Sequence, residues 1–201
     1  MVGITTVFGC LLPENQQREL FQYRYKVFIE QLGWELKTEG NIETDQFDNK
    51  HTCHVIAKTS DGDIIGCSRL LPTTQPYLLE CIFPSLLNGL PPPKEKDIWE
   101  LSRFTSMNVD SLKGGSKGQM TGELTQSLLW ESFDIAKQNG AKGIVAVSPL
   151  GVERLLKSMG IKGQRLGNPK EINGHMLFAC YVDFRHLENT RKQRIKRSLS
   201  M

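Results

Sequence analysis

A chain of 201 residues, 39% hydrophobic and 23% charged, has the length and composition of one soluble globular domain with a real core. A formal charge of +3 is too small to argue for nucleic-acid binding by the surface as a whole. Residues 1–12 lack the basic region and apolar run of a signal peptide, and no stretch reaches the roughly 20 apolar residues of a membrane span.

In chain order, residues 13–32 read as a helix. Pro13 suits a first turn, Glu14 favours the amino end of the helix dipole, and Gly33 lies just past the other end. Leu20, Val27, Phe28 and Leu32 form its apolar stripe. Arg24, four residues before Phe28, lies beside that stripe, either as a solvated charge or as an internal ion-pair partner. Residues 33–50 lack periodicity but carry Trp34, Asp45, Phe47 and Asp48, the composition of an active-site cover or a mobile tether. A β-hairpin follows: strand 52–58, a turn at Ser60-Asp61-Gly62-Asp63, and strand 64–71 ended by Pro72. Arg69 stands on its second strand, where a surface charge is out of place. Residues 78–87, broken by Pro84, give a short helix or two turns.

The stretch Trp99-Glu100-Leu101-Ser102-Arg103-Phe104 reads as a strand between loop-like flanks. A buried strand accepts a carboxylate and a guanidinium only when they are paired or line a polar cleft. Strand alternation puts Glu100 and Arg103 on opposite faces, so bringing both to one site requires a bulge or splayed strand within residues 100–104. Beyond it, 117–138 is a helix, 143–147 a strand, 152–159 a helix closed by Gly160, 163–167 a short edge strand and 175–184 a long apolar strand. Residues 185–201 form a basic tail without a core pattern, expected to fray or lie on the surface. With no repeat and no linker, the expected organisation is one domain over 1–184 plus that tail. The fold class is α/β, a single-domain mixed-sheet αβα sandwich.

Three acids (Asp45, Asp48, Glu100) and three arginines (Arg24, Arg69, Arg103) occupy positions where charge is unexpected, and the count balances to zero. Arginine pairs bidentately with carboxylates and stays charged when buried. No metal site is indicated: His51, Cys53 and His54 cluster, but strand alternation separates Cys53 from His54 and no second ligand pair follows. The five cysteines (Cys10, Cys53, Cys67, Cys81, Cys180) read as reduced thiols of a cytoplasmic protein. The Gly114–Gly118 loop before a helix looks like a phosphate cradle but lacks the Walker pattern.

Read in order, Arg24-x-x-x-Phe28, Gly33-Trp34, Asp45-x-Phe47-Asp48, Gly66-x-x-Arg69-Leu70-Leu71-Pro72-Thr73-Thr74, Tyr77-Leu78-Leu79, Phe83-Pro84 and Trp99-Glu100-x-Ser102-Arg103-Phe104 resemble the signature of the acyl-homoserine-lactone synthases. These are the autoinducer synthases of bacterial quorum sensing. Gly151-Val152-Glu153-Arg154 and Arg165-Leu166-Gly167 extend the resemblance over most of the chain.

The resemblance implies a fold like that of GNAT-type N-acyltransferases. It implies S-adenosylmethionine (SAM) as substrate, no permanently bound cofactor, and an acyl group delivered on acyl carrier protein. The amine of SAM attacks the acyl thioester, and lactonisation then releases methylthioadenosine (MTA). Catalytic roles are expected for Glu100, Ser102, Arg103, Asp45, Asp48, Arg69 and Arg24. Glu100 would be the base, and a free N–H of the splayed strand would receive the oxyanion. SAM contacts are expected at Phe28, Trp34, Arg69, Arg103 and Phe104. Ala146 and Ser148 are expected in the acyl pocket; Ala146 stands where a threonine accompanies 3-oxo substrates in the family, which implies a chain unsubstituted at carbon 3. Arg154, Lys157, Lys162, Arg165 and Lys170 would dock the acidic carrier protein. Neither a nucleic-acid partner nor membrane insertion is expected. An acyl-CoA-dependent N-acyltransferase and a nucleic-acid-binding module acting through the tail are the competing readings.

Overall fold

The structure is a computed structural model and describes residues 2–109 and 122–187. Its elements run β1 (Gly3–Phe8), α1 (Glu14–Arg24), β2 (Thr38–Glu39), β3 (Ile42–Glu43), β4 (Cys53–Lys58), β5 (Ile64–Pro72), α2 (Leu78–Cys81), β6 (Ile98–Thr105), α3 (Gly122–Gln138), β7 (Gly143–Pro149), α4 (Leu150–Ser158), β8 (Gly163–Arg165), β9 (Lys170–Ile172) and β10 (His175–Asp183). Contacts divide the chain into two compact units, Met1–Leu71 with Leu101–Ile135, and Pro72–Glu100 with Ala136–Met201. The boundary falls inside β6. The Gly114–Gly118 loop, the first turn of the expected 117–138 helix and the tail from residue 188 lie outside the described residues.

In the first unit the strands lie in the order β1-β4-β5-β6. The β4–β5 hairpin forms as its alternation demands, antiparallel, with Cys53 opposite Leu70 and His54 opposite Arg69. β1 was not anticipated; it pairs antiparallel with β4 from Gly3–Lys58 to Phe8–Cys53. Leu20, Phe21, Tyr23, Val27 and Phe28 of the first helix pack with Leu12, Ile56 and Cys67 into one core cluster.

That helix is not uniform. After Arg24 it widens into a π-helix, Tyr25–Gln31, where Leu32 N–H donates to the carbonyl five residues back, on Val27, at 3.0 Å. It ends where expected, at Gly33 with φ +66°. Seven residues of wider winding keep Val27 and Phe28 buried, so the hydrophobic pattern alone cannot separate the two windings.

In the second unit the order is β6-β7-β10-β8, with β9 paired to β10 off this path. β7 and β10 are antiparallel, with Ala146 opposite Cys180 and Ser148 opposite Phe178. The β9–β10 hairpin was missed, although Asn173-Gly174 carries its signal: both residues have positive φ, +50° and +75°, as a tight two-residue hairpin turn requires. α4 begins two residues before the expected Val152. Residues 78–87 resolve into α2 and a 3-10 turn at Pro84–Leu87.

One glycine ties β1 to the acidic loop. Gly9 N–H donates to the Thr52 carbonyl at 2.7 Å, and a Cβ on Gly9 would collide with the Asn49 carbonyl oxygen. Gly9→Ala must therefore displace the backbone beside Asp48. A loss of about 1–3 kcal/mol in urea unfolding is expected; unchanged stability would show that the loop yields freely.

Candidate active site

The first unit buries a closed lattice of charge. Arg24, the last residue of α1, donates from Nε to Glu43 Oε2 at 2.6 Å and grips both oxygens of Asp48 at 2.7 and 2.9 Å. Arg69 of β5 grips both oxygens of Asp45 at 2.6 and 3.0 Å, and its Nε donates to Ser102 Oγ at 3.0 Å. Its Nη1 also lies 3.1 Å from Asp48 Oδ1. Arg103 of β6 completes the set through Nη2, bonded to Glu43 Oε1 at 2.8 Å and Asp45 Oδ2 at 2.9 Å. Each arginine thus bridges two carboxylates and each carboxylate two arginines. Every one of these side chains is 5% exposed or less, except Asp45 at 16%.

Short-range structure sets up the lattice. The acidic loop closes on itself: Asp48 Oδ2 accepts from Asp45 N–H at 3.0 Å, and Asp45 Oδ1 accepts from Phe47 N–H at 2.9 Å. β2 and β3 turn through Gly40, which has φ +59°, and deliver Glu43. β6 departs from regular extension at Arg103, where φ is +50°. Consecutive side chains, Ser102 and Arg103, consequently both reach the lattice, which an alternating strand forbids. Cys67 Sγ–H donates to the Arg103 carbonyl at 3.4 Å.

Aromatic faces back each cation: Phe21 lies 5.1 Å from the Arg24 guanidinium, Phe47 5.6 Å from that of Arg69, and Phe28 5.7 Å from that of Arg103. Phe28 in turn meets the half-buried Trp34 at 5.1 Å between ring centroids.

The electrostatics follow. Burial works against an ionised Asp48, but Arg24 and Arg69 outweigh it and hold the carboxyl well below its usual range. For Glu43, burial is likewise outweighed by Arg24 and Arg103. Arg24 and Arg69 are in turn raised by these carboxylates despite their burial, so that Asp48, Glu43, Arg24 and Arg69 stay charged at neutral pH. His54, 3% exposed and opposite Arg69, is pushed down to about 4 by burial, with Arg24 and Arg69 adding to the effect and Asp48 opposing it.

The charge balance expected from sequence holds with one correction. The third acid of the lattice is Glu43, not Glu100. Glu100 belongs to the second unit, fully buried, where its two oxygens accept from Leu78 N–H at 2.9 Å and Leu79 N–H at 2.7 Å. Glu43 escaped notice because it sits among polar loop residues with no apolar pattern to make its charge conspicuous. Phe104 is half-buried. In the second unit Ala146 is buried and Ser148 half-buried, two residues apart and so on one face of β7. Arg154, Lys157, Lys162 and Lys170 are exposed. Arg165 is exposed as well, and Glu153 holds it at 2.8 and 2.7 Å over the Phe178 ring. Among the described residues, no group of three or more His, Cys, Asp or Glu side chains is arranged to hold a metal. No helix among them is long and apolar enough to cross a membrane.

Two measurements check this electrostatic account. Glu43→Gln keeps the shape but leaves Arg24 and Arg103 short of one negative charge, so stability should fall by about 3 kcal/mol or more in urea unfolding. For His54 the folded state resists the proton that the unfolded chain takes up near its ordinary value of 6.5. Stability is therefore full above that value and falls as the pH drops towards about 4. Between pH 7.5 and pH 5 the wild type should lose about 2 kcal/mol more than His54→Leu; equal losses would place His54 in water.

The sequence model described as autoinducer synthase matches residues 10–193. The chain is 48% identical over 182 residues to an acyl-homoserine-lactone synthase of Acinetobacter nosocomialis, covering 90% of this chain and all of that one. It is 37% identical over 177 residues to one from Ralstonia solanacearum, covering 87% and 85%. Among solved structures, TofI in a ternary complex with an inhibitor and MTA superposes with a TM-score of 0.79 at 34% identity, covering 95% of this chain and 96% of TofI. An acyl-CoA N-acyltransferase from Pseudomonas aeruginosa, 15% identical with a TM-score of 0.60, covering 89% and 99%, shares the fold alone. The fold is thus mixed α/β of the GNAT-like kind, and the chain belongs to the autoinducer synthase family, whose members are acyltransferases that make acyl-homoserine lactones.

Proposed function

We propose that the chain joins an acyl group from acyl carrier protein to the amine of SAM and then closes the lactone. The observation that carries the reading is the buried lattice of three arginines and three carboxylates, which fixes a kinked β6 and the acidic loop beside the Phe28–Trp34 pair. Asp45, its most exposed carboxylate, and the half-buried Trp34 suit a sulfonium cation, which an anion and an aromatic face both attract. The likeness to TofI with MTA supports the same ligand class.

In the proposed reaction, Glu100 takes a proton from the SAM ammonium, directly or through one water. The free amine attacks the thioester carbonyl carbon. The resulting oxyanion is received by a backbone N–H of β6, and collapse expels the carrier thiolate, which takes up the second proton shed by the nitrogen as the amide forms. A carboxylate oxygen of the methionyl part then attacks its own γ-carbon. The carbon–sulfur bond breaks, its electrons stay on sulfur, and MTA leaves with the lactone formed. Arg24, Arg69, Arg103, Asp45, Asp48 and Ser102 hold the substrate and each other in place, with Phe28, Trp34 and Phe104 against the adenosyl group.

The donor and the acyl chain are finer points of the same proposal. MesI, at 28% identity, is described as a CoA-dependent synthase, so both thioester types lie within reach of the fold. The exposed Arg154, Lys157, Lys162 and Lys170 favour an acidic carrier protein here. Ala146, without a hydroxyl, favours a chain unsubstituted at carbon 3, with Ser148 beside it on β7. Cytoplasmic placement accords with SAM and carrier protein as substrates.

The test is MTA release from SAM with matched acyl-carrier, 3-oxoacyl-carrier and acyl-CoA donors. The unsubstituted carrier should turn over best, and Glu100→Gln should lower kcat by about 100-fold or more. Absence of MTA release with every donor would overturn the reading. Arg154→Glu with Lys157→Glu should raise KM for the carrier donor while leaving that for acyl-CoA unchanged; an equal effect on both would remove α4 from the docking surface.

A further inference from the structure

Among the described residues β1 is the terminal strand of its sheet, and it carries none of the charges, prolines or bulges that keep a sheet edge from pairing with another chain. From Val2 to Leu12 there is no charged residue and no proline. The six pairs with β4 run without a register shift, so no bulge twists the edge away. Val2 and Leu11, flanking the strand, are 49% and 71% exposed. The other end of the strand order differs. β8 has only three residues and ends in Arg165, and β9 carries Lys170 and Glu171. Short, charged edges of that kind resist pairing.

The direction of the open hydrogen-bonding groups follows from one bond. Gly9 N–H donates to Thr52, the partner that continues the β1–β4 register. In an antiparallel ladder, hydrogen-bonded pairs alternate with non-bonded ones. Gly3, Thr5 and Val7 therefore face β4, and the N–H and C=O groups of Ile4, Thr6 and Phe8 face outward. Among the described residues no strand pairs with that side.

We propose that β1 is a homodimerisation edge, on which the β1 of a second copy lies antiparallel about a two-fold axis at Thr6. In that register Ile4 meets the second copy's Phe8 and Thr6 meets its own counterpart, each donating and accepting one backbone hydrogen bond. Thr5 meets Val7 in the intervening pair. Every cross-strand pair is apolar or hydroxyl-bearing, and none opposes like charges. A two-fold contact of this kind is self-complementary and closes at two copies. One strand and its flanks bury less than the roughly 800 Å² per partner of stable interfaces, so the dimer is reversible and grows with concentration.

Sedimentation of the full chain from micromolar concentration to its solubility limit tests this. The average mass should rise toward twice that of one chain. Thr6→Pro removes an outward N–H without touching the β4 ladder and should sediment as a monomer throughout, with unaltered MTA release at low concentration. Thr6→Lys, which sets two like charges opposite each other, should do the same if the proline variant fails to fold. Thr6→Cys, in a background with Cys10→Ser and Cys81→Ser, should cross-link as a dimer under mild oxidation. A wild type that stays monomeric at every concentration overturns the proposal. So does a dimer that survives both Thr6→Pro and Thr6→Lys, or a Thr6→Cys chain that does not cross-link.

Discussion

Burying six full charges in one place is tolerable only if every one of them is met on more than one side. Isolated, each arginine or carboxylate would lose several kcal/mol of hydration, more than a single partner returns. Arg24, Arg69 and Arg103 solve this by sharing Glu43, Asp45 and Asp48, with Ser102 taking the remaining Nε of Arg69 and aromatic rings covering the guanidinium faces. The local irregularities of the first unit serve that requirement. β6 adopts a left-handed residue at Arg103 so that neighbouring side chains converge, and residues 44–48 wrap their own backbone N–H groups around Asp45 and Asp48.

Arginine is the residue that makes such sharing possible. Its planar head offers donors along two edges and at Nε, so one side chain bonds one carboxylate through its fork and another from the side. Arg24 does this with Asp48 and Glu43, while Arg69 grips Asp45 through its fork and donates from Nε to the Ser102 hydroxyl. A lysine ammonium is a compact point charge and cannot span two acids in one plane. The three positive and three negative charges cancel within the lattice, and Asp45 is its most exposed member.

Much of this was legible in the sequence, for a specific reason. Arg24, Arg69 and Arg103 lie within segments whose neighbours are apolar, so their charge contradicts the local pattern and demands partners. The hairpin carrying Arg69 was readable from alternation and an Asp-Gly turn. Glu43 was not, because a charge among charges contradicts nothing; only the two-residue strand that delivers it shows its role. Glu100 enters the expected set as a charge on an apolar strand close to Arg103 in sequence; nothing in the pattern shows that its carboxylate instead accepts from the Leu78 and Leu79 N–H groups. The π-helix left no trace in the pattern, since seven residues are too few to distinguish its winding from an α-helix. β9 and β10 could have been joined from Asn173-Gly174, and β1 lacked the strict alternation that announces a half-buried strand.

The reciprocal sharing within the lattice also constrains how this protein can change over generations. Because every arginine serves two acids and every acid two arginines, replacing any single member strands two others in a medium that tolerates no orphan charge. A viable alternative must alter several positions together, and the intermediates fall into a valley of instability. Stepwise change is therefore channelled away from this nucleus and towards positions outside it, such as Ala146 and Ser148 of β7.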